Sequence, residues 1–200
     1  MSPLRPTLAV IGVLATAIAL SACSATTTMG GMNHSTSSSP SPVENRGAFN
    51  DSDVELAMDM IPHHEQAIEM SDMILGKAGI DQKVVDLATR IKAAQAPEIT
   101  EMTAWLKAWG RPMGSMSGMS GMDSGMMSDD DMAALAAAGG TDASKLFLTQ
   151  MMTHHQGAIT MAKTEISEGE NADAIGLARA IITGQSAEIV EMADMLSALR

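Results

Sequence analysis

"MIPHHEQAIEM" (Met60–Met70) occurs a second time in this chain as "MMTHHQGAITM" (Met151–Met161), 91 residues later. Another pair repeats at nearly the same spacing, because "QAPEITEM" (Gln95–Met102) returns as "QSAEIVEM" (Gln185–Met192). Each copy therefore places a His-His segment before a Gln-x-x-Glu-Ile-x-Glu-Met segment. Two matched blocks in the same order indicate a duplicated helix hairpin.

Composition and helix signals favour an all-α domain. Ala, Leu, Ile and Met supply the apolar residues, and the chain of 200 residues has two Phe, two Trp and no Tyr. Capping residues and glycines predict four long helices and one short helix, over Asp51–Lys77, Asp81–Trp109, Ser128–Gly140, Asp142–Glu168 and Asn171–Leu199. Short loops inside each hairpin and a long central crossover predict a four-helix bundle over residues 50–200. The linker, residues 111–128, is expected at the bundle end where the second long helix finishes and the third begins.

Each long helix has an apolar stripe with residues three and four apart, and these stripes contain polar residues. The polar residues predicted to face inward are His63, Gln95, Glu98, His154, Gln185 and Glu188. His64 and His155 are expected to flank the stripes. Because a neighbouring stripe through Ile68, Ile99, Ile159 and Ile189 is also apolar, the centre of the buried face stays open.

These polar residues and nearby thioethers form a candidate metal-ligand set. Its members are Met60, His63, His64, Met70, Glu98, Met151, His154, His155, Met161 and Glu188. Mixed imidazole and thioether donors favour copper, with His suited to Cu(II) and Met to Cu(I). Iron or zinc would use the His and Glu residues alone. The alternative is a structural polar layer that fixes helix register, with methionines that only fill the core.

The central linker is rich in methionine, glycine and serine. Its methionines are Met113, Met116, Met119, Met122, Met126 and Met127. Outside the cytoplasm, where free Cys is oxidised, Met is the suitable soft ligand, and flexible Gly/Ser spacing would let several Met side chains surround one Cu(I). A flexible loop of biased composition, or methionines that scavenge oxidants, are the alternatives.

The N-terminus indicates export. Arg5, the apolar run Leu8–Leu20 and the small residues before Cys23 predict a signal peptide over residues 1–22. "LSAC" resembles the bacterial lipobox, which implies lipidation of Cys23, the one Cys in the chain. Residues 23–49 then form a disordered tether. The predicted location is the cell envelope, on the outer face of the cytoplasmic membrane or in the periplasm, with the lipid as membrane partner. A plain cleaved signal and an uncleaved anchor are the alternatives.

Charge and motifs exclude several functions. The formal net charge of −12 repels phosphate backbones, so nucleic acid is not an expected partner. The sequence has no nucleophile triad, phosphate-binding loop or Cys-based metal motif, and catalysis is not expected. Protein partners stay open, including a second copy of the chain.

"MIPHHEQAIEM", "DMAALAAAGG" and "LFLTQMMTHHQGAITMA" together resemble the bacterial domain-of-unknown-function family 305. The resemblance covers about residues 50–200 and implies a ferritin-like four-helix bundle, with copper binding and resistance known for some exported members. It implies metal contacts at His63, His64, Met70, His154, His155 and Met161. Thr153 departs from the first copy, which has Pro62 at that place.

Three functions are therefore to be compared. The first is an envelope-anchored protein that sequesters or passes on copper without a catalytic step. The second is a dinuclear metal oxidase of the ferritin type, although the Glu-x-x-His motifs of that class are missing from the second and fourth long helices. The third is a structural or interaction bundle without metal.

Overall fold

The computed structural model describes residues 47–111 and 125–199, which contain five helices and no strand. They are α1 (Asp51–Leu75), α2 (Gln82–Ala108), α3 (Asp129–Ala137), α4 (Gly140–Glu168) and α5 (Ala172–Ala198). All five predicted helices are present, and their ends lie within a few residues of the expected positions. No helix in the described part has a run long and apolar enough to cross a membrane.

Local capping explains where the helices begin. The Asn50 side chain accepts hydrogen bonds from the backbone N–H groups of Ser52 and Asp53, and the Asp53 carboxylate accepts one from the Asn50 N–H, which forms a capping box. Ser128 and Asp131 make the same arrangement at the start of α3. These residues occupy the first, otherwise unsatisfied N–H groups of their helices.

Two apolar clusters show how the helices are oriented. The first contains the beginning of α1, the end of α2, the end of α4 and the beginning of α5. The second contains the end of α1, the beginning of α2, the beginning of α4 and the end of α5. The helices of each hairpin are therefore antiparallel, and α1 is antiparallel to α4. The four-helix bundle built from a duplicated hairpin is confirmed.

The expected position of the crossover was wrong. The end of α2, with Leu106 and Trp109, belongs to the first cluster, whereas the beginning of α4, with Ala143 and Phe147, belongs to the second. The end of α2 and the beginning of α4 thus lie at opposite ends of the bundle. A connection between opposite ends is the long crossover of ferritin-like bundles.

The last part of this crossover, residues 125–138, lies against α1 and α4 and is called the strap below. Gln66 on α1 bonds both backbone groups of Met127, at 2.7 and 2.9 Å. Gln150 on α4 donates to the Asp131 carbonyl at 2.9 Å. Lys77 donates to the carbonyls of Ala136 and Ala138 at 2.7 and 2.8 Å. The strap is therefore fixed to the bundle by side chains of both helices.

Candidate functional site

A layer of polar side chains separates the two apolar clusters, and it is called the histidine layer here. Its members are His63 and His64 on α1, Gln95 and Glu98 on α2, His154 and His155 on α4, and Gln185 and Glu188 on α5. None of the four imidazoles is more than 1% exposed. Four buried imidazoles at one level of a helical bundle form a concentrated set of metal-ligating groups.

The two copies of the repeat make the same contact within this layer. Nε2 of His64 lies 2.7 Å from Oε2 of Glu98, and Nε2 of His155 lies 2.7 Å from Oε2 of Glu188. The Glu side chains are 23% and 20% exposed, while both rings are fully buried. Each carboxylate therefore lies between the buried ring and the solvent.

The other two histidines meet at the interface of α1 and α4. The rings of His63 and His154 have centroids 3.6 Å apart and are tilted by 34°. The pKa of His154 is well below its usual value, first because of burial and then because of the other three histidines, and a contact with the His63 backbone only partly offsets this. His154 is thus a neutral imidazole at neutral pH, and neutral imidazole is the form that binds metals.

Several electron-pair donors of the layer are buried without a hydrogen-bond partner. They include Nδ1 of His64 and His155 and Oε1 of Gln95 and Gln185. Buried polar atoms of this kind need an explanation, and a bound cation is one. Among the described residues, no three His, Cys, Asp or Glu side chains converge as a metal site.

The structure corrects the sequence interpretation at two pairs of residues. His64 and His155, expected to flank the inward stripes, are buried as fully as His63 and His154. Glu98 and Glu188, expected among the inward residues, lie at the partly exposed rim of the layer. The reason is that the helices pack with the second histidine of each pair turned toward its own hairpin partner.

The candidate methionines of the helices lie at different distances from the histidine layer. Met60 and Met151 are fully buried, three residues from His63 and His154, or roughly 4–5 Å along the helix axis. Met70 and Met161 are seven residues away, roughly 10 Å along the axis. Met70 is fully buried in the second cluster, and Met161 is partly buried against the first. Along their helices, Met60 and Met151 therefore lie closer to the histidines than Met70 and Met161 do.

Only the end of the methionine-rich linker falls within the described residues. Met126 is 41% exposed, and Met127 is partly buried against the second cluster. Because Met127 is bound to Gln66, one turn from His63, this end of the linker lies beside the histidine layer. The other linker candidates, Met113, Met116, Met119 and Met122, lie outside the described residues. So do Cys23, the predicted signal peptide and residues 23–46 of the predicted tether.

Sequence reasoning missed Gly125, which fixes the strap at this level. Its φ of +74° belongs to the left-handed region, and an added Cβ would lie 2.7 Å from the Thr153 carbonyl oxygen and 3.0 Å from Cα of Gly157. Gly125 therefore packs directly on the backbone of α4 at Thr153 and Gly157. The glycine-rich composition of the linker concealed this one position, because all its glycines look equivalent in the sequence.

A buried acid pair at the end of α4 was also missed. Asp53 accepts backbone hydrogen bonds from Asn50, Glu170 and Asn171, at 2.6 to 3.1 Å. Burial first, and then the hydrogen bond and charge of Asp53, raise the pKa of Glu165 to about 8. The pair joins the beginning of α1 to the turn between α4 and α5. The sequence did not predict this pair, because helical periodicity does not show which acidic residues of two different helices meet.

Residues 53–196 match the family model described as "Domain of unknown function (DUF305)". The chain belongs to the DUF305 family. The resemblance inferred from the doubled His-His motif is thereby confirmed. No match was found among curated proteins.

Solved structures of DUF305 proteins share the fold. A protein from Streptomyces coelicolor, provisionally described as secreted, is 34% identical, with 74% of this chain and 92% of that chain covered and a TM-score of 0.69. A fragment from Deinococcus radiodurans is 28% identical, with 76% and 99% covered and a TM-score of 0.69. CopM in its Cu(II)-bound form is 34% identical, with 74% and 97% covered and a TM-score of 0.64. CopM has also been solved with Cu(I) and with silver.

Proposed function

We propose that this DUF305 protein binds copper through the histidine layer and sequesters it or passes it on. The single observation that supports this most is the burial of four imidazoles between two apolar clusters. Apolar residues at those places would be less costly to bury, and buried polar groups are commonly neutral or unfavourable for stability. Keeping four of them in one layer is consistent with a ligand that uses them.

The choice of copper is supported by the donor types and by one structural relative. Imidazoles of the layer and the thioethers of Met60 and Met151 suit Cu(II) and Cu(I) together. CopM, solved with both copper ions and with silver, shares this fold at about one-third identity. Iron and zinc are less well matched, because no three His or carboxylate side chains of the described residues converge.

The proposal assigns different roles to the candidate methionines. Met60 and Met151 act next to the histidines, while Met70 and Met161 serve the same ion only after side-chain or helix movement. Met126 and Met127, with the four linker methionines before them, supply copper to the layer from the strap side. No catalytic step is part of this role.

The same proposal places the protein at the cell envelope. The signal-peptide pattern of residues 1–22 and Cys23 in "LSAC" support export and lipid attachment, and the S. coelicolor relative is provisionally described as secreted. An envelope position would explain the use of Met in place of Cys as the soft ligand. Mass spectrometry of the mature N-terminus tests this directly, because a lipid adduct on Cys23 is the expected result and an unmodified N-terminus would contradict it.

Competition with a Cu(I) chelator tests the copper role. Four variants separate the donor groups: a His64→Leu, His155→Leu pair, a Met60→Leu, Met151→Leu pair, a Met70→Leu, Met161→Leu pair, and Leu at all six linker methionines. Met195→Leu, two turns from Glu188, is the matched control. The histidine pair is expected to lose at least tenfold in affinity while the control is unchanged. If the histidine pair and the wild type bind equally, His64 and His155 do not hold the copper.

A further inference from the structure

We propose that Glu98 and Glu188 are positioning residues and not metal ligands: they hold His64 and His155 so that Nδ1 of each ring receives the metal. This inference rests on the proposed copper function and specifies its chemistry at the level of single atoms. It also revises the expectation from the sequence that both carboxylates bind the ion themselves.

A hydrogen bond joins each histidine to its glutamate. Nε2 of His64 and Oε2 of Glu98 are 2.7 Å apart, and the same two atoms of His155 and Glu188 are also 2.7 Å apart. An ionised carboxylate only accepts hydrogen bonds, so the donor in each contact is the ring Nε2–H. A neutral imidazole that carries its proton on Nε2 has its lone pair on Nδ1.

The lone pair on Nδ1 lies in the interior of the bundle in both copies. Nδ1 of His64 and Nδ1 of His155 are both buried and have no hydrogen-bond partner. A buried acceptor without a donor is unfavourable by about 1–3 kcal/mol, unless something else satisfies it. A soft cation bound at Nδ1 would do so, and Nε2 is not accessible for this because the carboxylate occupies it.

The two carboxylates lie on the outer side of the histidine rings. Glu98 and Glu188 lie at the rim, with side chains 23% and 20% exposed, and the fully buried rings separate them from the interior of the layer. A carboxylate that receives the second ring N–H of a metal-bound histidine fixes its tautomer and makes it a stronger ligand. The duplicated hairpin presents this arrangement twice with the same geometry, which supports a shared role.

Nitrogen NMR of the full mature protein, labelled with ¹⁵N-histidine, tests the inference before any metal is added. Long-range ¹H–¹⁵N correlations distinguish a protonated Nε2 from a protonated Nδ1. The expected result at neutral pH is a protonated Nε2 and a bare Nδ1 in His64 and His155, with assignments from His64→Gln and His155→Gln. A protonated Nδ1 in the metal-free protein would overturn the assignment.

Silver ions then serve as a diamagnetic probe in place of Cu(I). On addition of Ag(I), the Nδ1 resonances of His64 and His155 should shift while their Nε2–H protons remain. A shift at Nε2 with loss of its proton would show that the ring binds silver through Nε2 or that the carboxylate no longer contacts Nε2. This result would overturn the assignment of Nδ1 but leave the proposed copper site in place. If none of the four layer histidines responds, the proposed copper site fails together with the metal role of Nδ1.

Isosteric variants give a second readout. Glu98→Gln and Glu188→Gln should each raise the Kd for Cu(I) by about 10–100-fold, because the neutral amide no longer strengthens the imidazole as a ligand. Glu101→Gln, exposed and one turn further along α2, is the matched control and should bind as the wild type does. Wild-type affinity in Glu98→Gln and Glu188→Gln would contradict a positioning role.

Discussion

His154 is a buried imidazole whose position in an apolar interior is unfavourable for stability. Its ring is fully buried and packs against the tilted ring of His63, and burial together with the other three histidines lowers its pKa well below the usual value. The protein therefore keeps a neutral base in an apolar interior, where an aliphatic side chain would be easier to bury. This is the expected condition for a ligand that has to be ready for a metal ion without first losing a proton.

Replacement of His154 by Leu is expected to stabilise the metal-free protein. Removing a buried polar ring should raise the free energy of unfolding by about 1 kcal/mol, within the range for buried polar groups. Urea denaturation in the presence of a chelator measures it, and Cu(I) affinity should fall in the same variant. Because the pKa of His154 is lowered in the folded protein, the free energy of unfolding of the wild type should decrease as the pH falls through about 6.5. This part of the decrease should be missing in His154→Leu. Lower stability of metal-free His154→Leu at pH 7.5 would contradict the prediction.

The buried acid Glu165 predicts the opposite dependence on pH. Its pKa is raised from 4.5 to about 8, so the folded state holds a proton that the unfolded state has lost between these values. The free energy of unfolding should therefore decrease as the pH rises from 4.5 to 8. The Gln side chain in Glu165→Gln resembles the protonated acid beside Asp53. This variant should remove the decrease, and its free energy of unfolding at pH 8 should be about 1–3 kcal/mol higher than that of the wild type.

Thermal melts of wild type and Glu165→Gln at pH 5 and pH 8 check this prediction. Glu168→Gln, exposed on the last turn of α4, is the control for the loss of one negative charge. Glu55 and Asp59 lie near Glu165 along α1, so both variants should be measured at the same ionic strength. Parallel pH profiles for the wild type and Glu165→Gln would show that Glu165 is ionised in the folded state at pH 8.

At the scale of elements, the strap depends on a close contact that only glycine allows. Gly125 combines a φ of +74° with an approach that would place a Cβ 2.7 Å from the Thr153 carbonyl oxygen. Gly125→Ala should destabilise the protein by about 2–3 kcal/mol, of which about 1–2 kcal/mol comes from the left-handed backbone. Gly110, with a φ of +72° and no atom within 4 Å of an added Cβ, provides the matched control.

The difference between Gly125→Ala and Gly110→Ala therefore isolates the contact with α4. Urea denaturation of both variants measures it, and hydrogen exchange at the Met127 amide reports whether the strap has loosened from Gln66. Equal destabilisation of the two variants would mean that the strap tolerates a Cβ at this place.

The sequence predicted the helices, α3 included, but not the position of the strap against the bundle, and the physical reason is the range of the interactions. Caps such as Asn50 and Ser128 act within one turn, so they could be identified from neighbouring residues. The direction of α4 relative to α2 depends on which apolar clusters pack together, and a long linker permits either direction. The same limit applies to His64 and His155: helical periodicity predicts which residues share a face, but only the packing of α1 on α2 and of α4 on α5 turns these rings inward.

At the scale of the whole molecule, the proposed copper binding should raise the melting temperature. A ligand that binds only the folded state at 100 times its Kd stabilises it by about 2.7 kcal/mol, which corresponds to roughly 5–10 °C for a domain of this size. Melting in the presence of excess Cu(I) should show this rise for the wild type and little of it for the His64→Leu, His155→Leu pair. A structural bundle without a metal role predicts no rise in either protein.

The duplication makes a last prediction about the two halves of the molecule. His64 and His155 have the same carboxylate distance, the same complete burial and the same buried Nδ1, so each should contribute about equally to copper affinity. Single His64→Leu and His155→Leu variants should therefore raise the Kd by factors that agree within about threefold, or less than 1 kcal/mol. The strap is the asymmetric element at this level, since its contacts with Gln66 and Gly157 have no duplicate among the described residues. A difference of more than tenfold between the two variants would show that the strap, and not the duplicated hairpin alone, determines where copper is held.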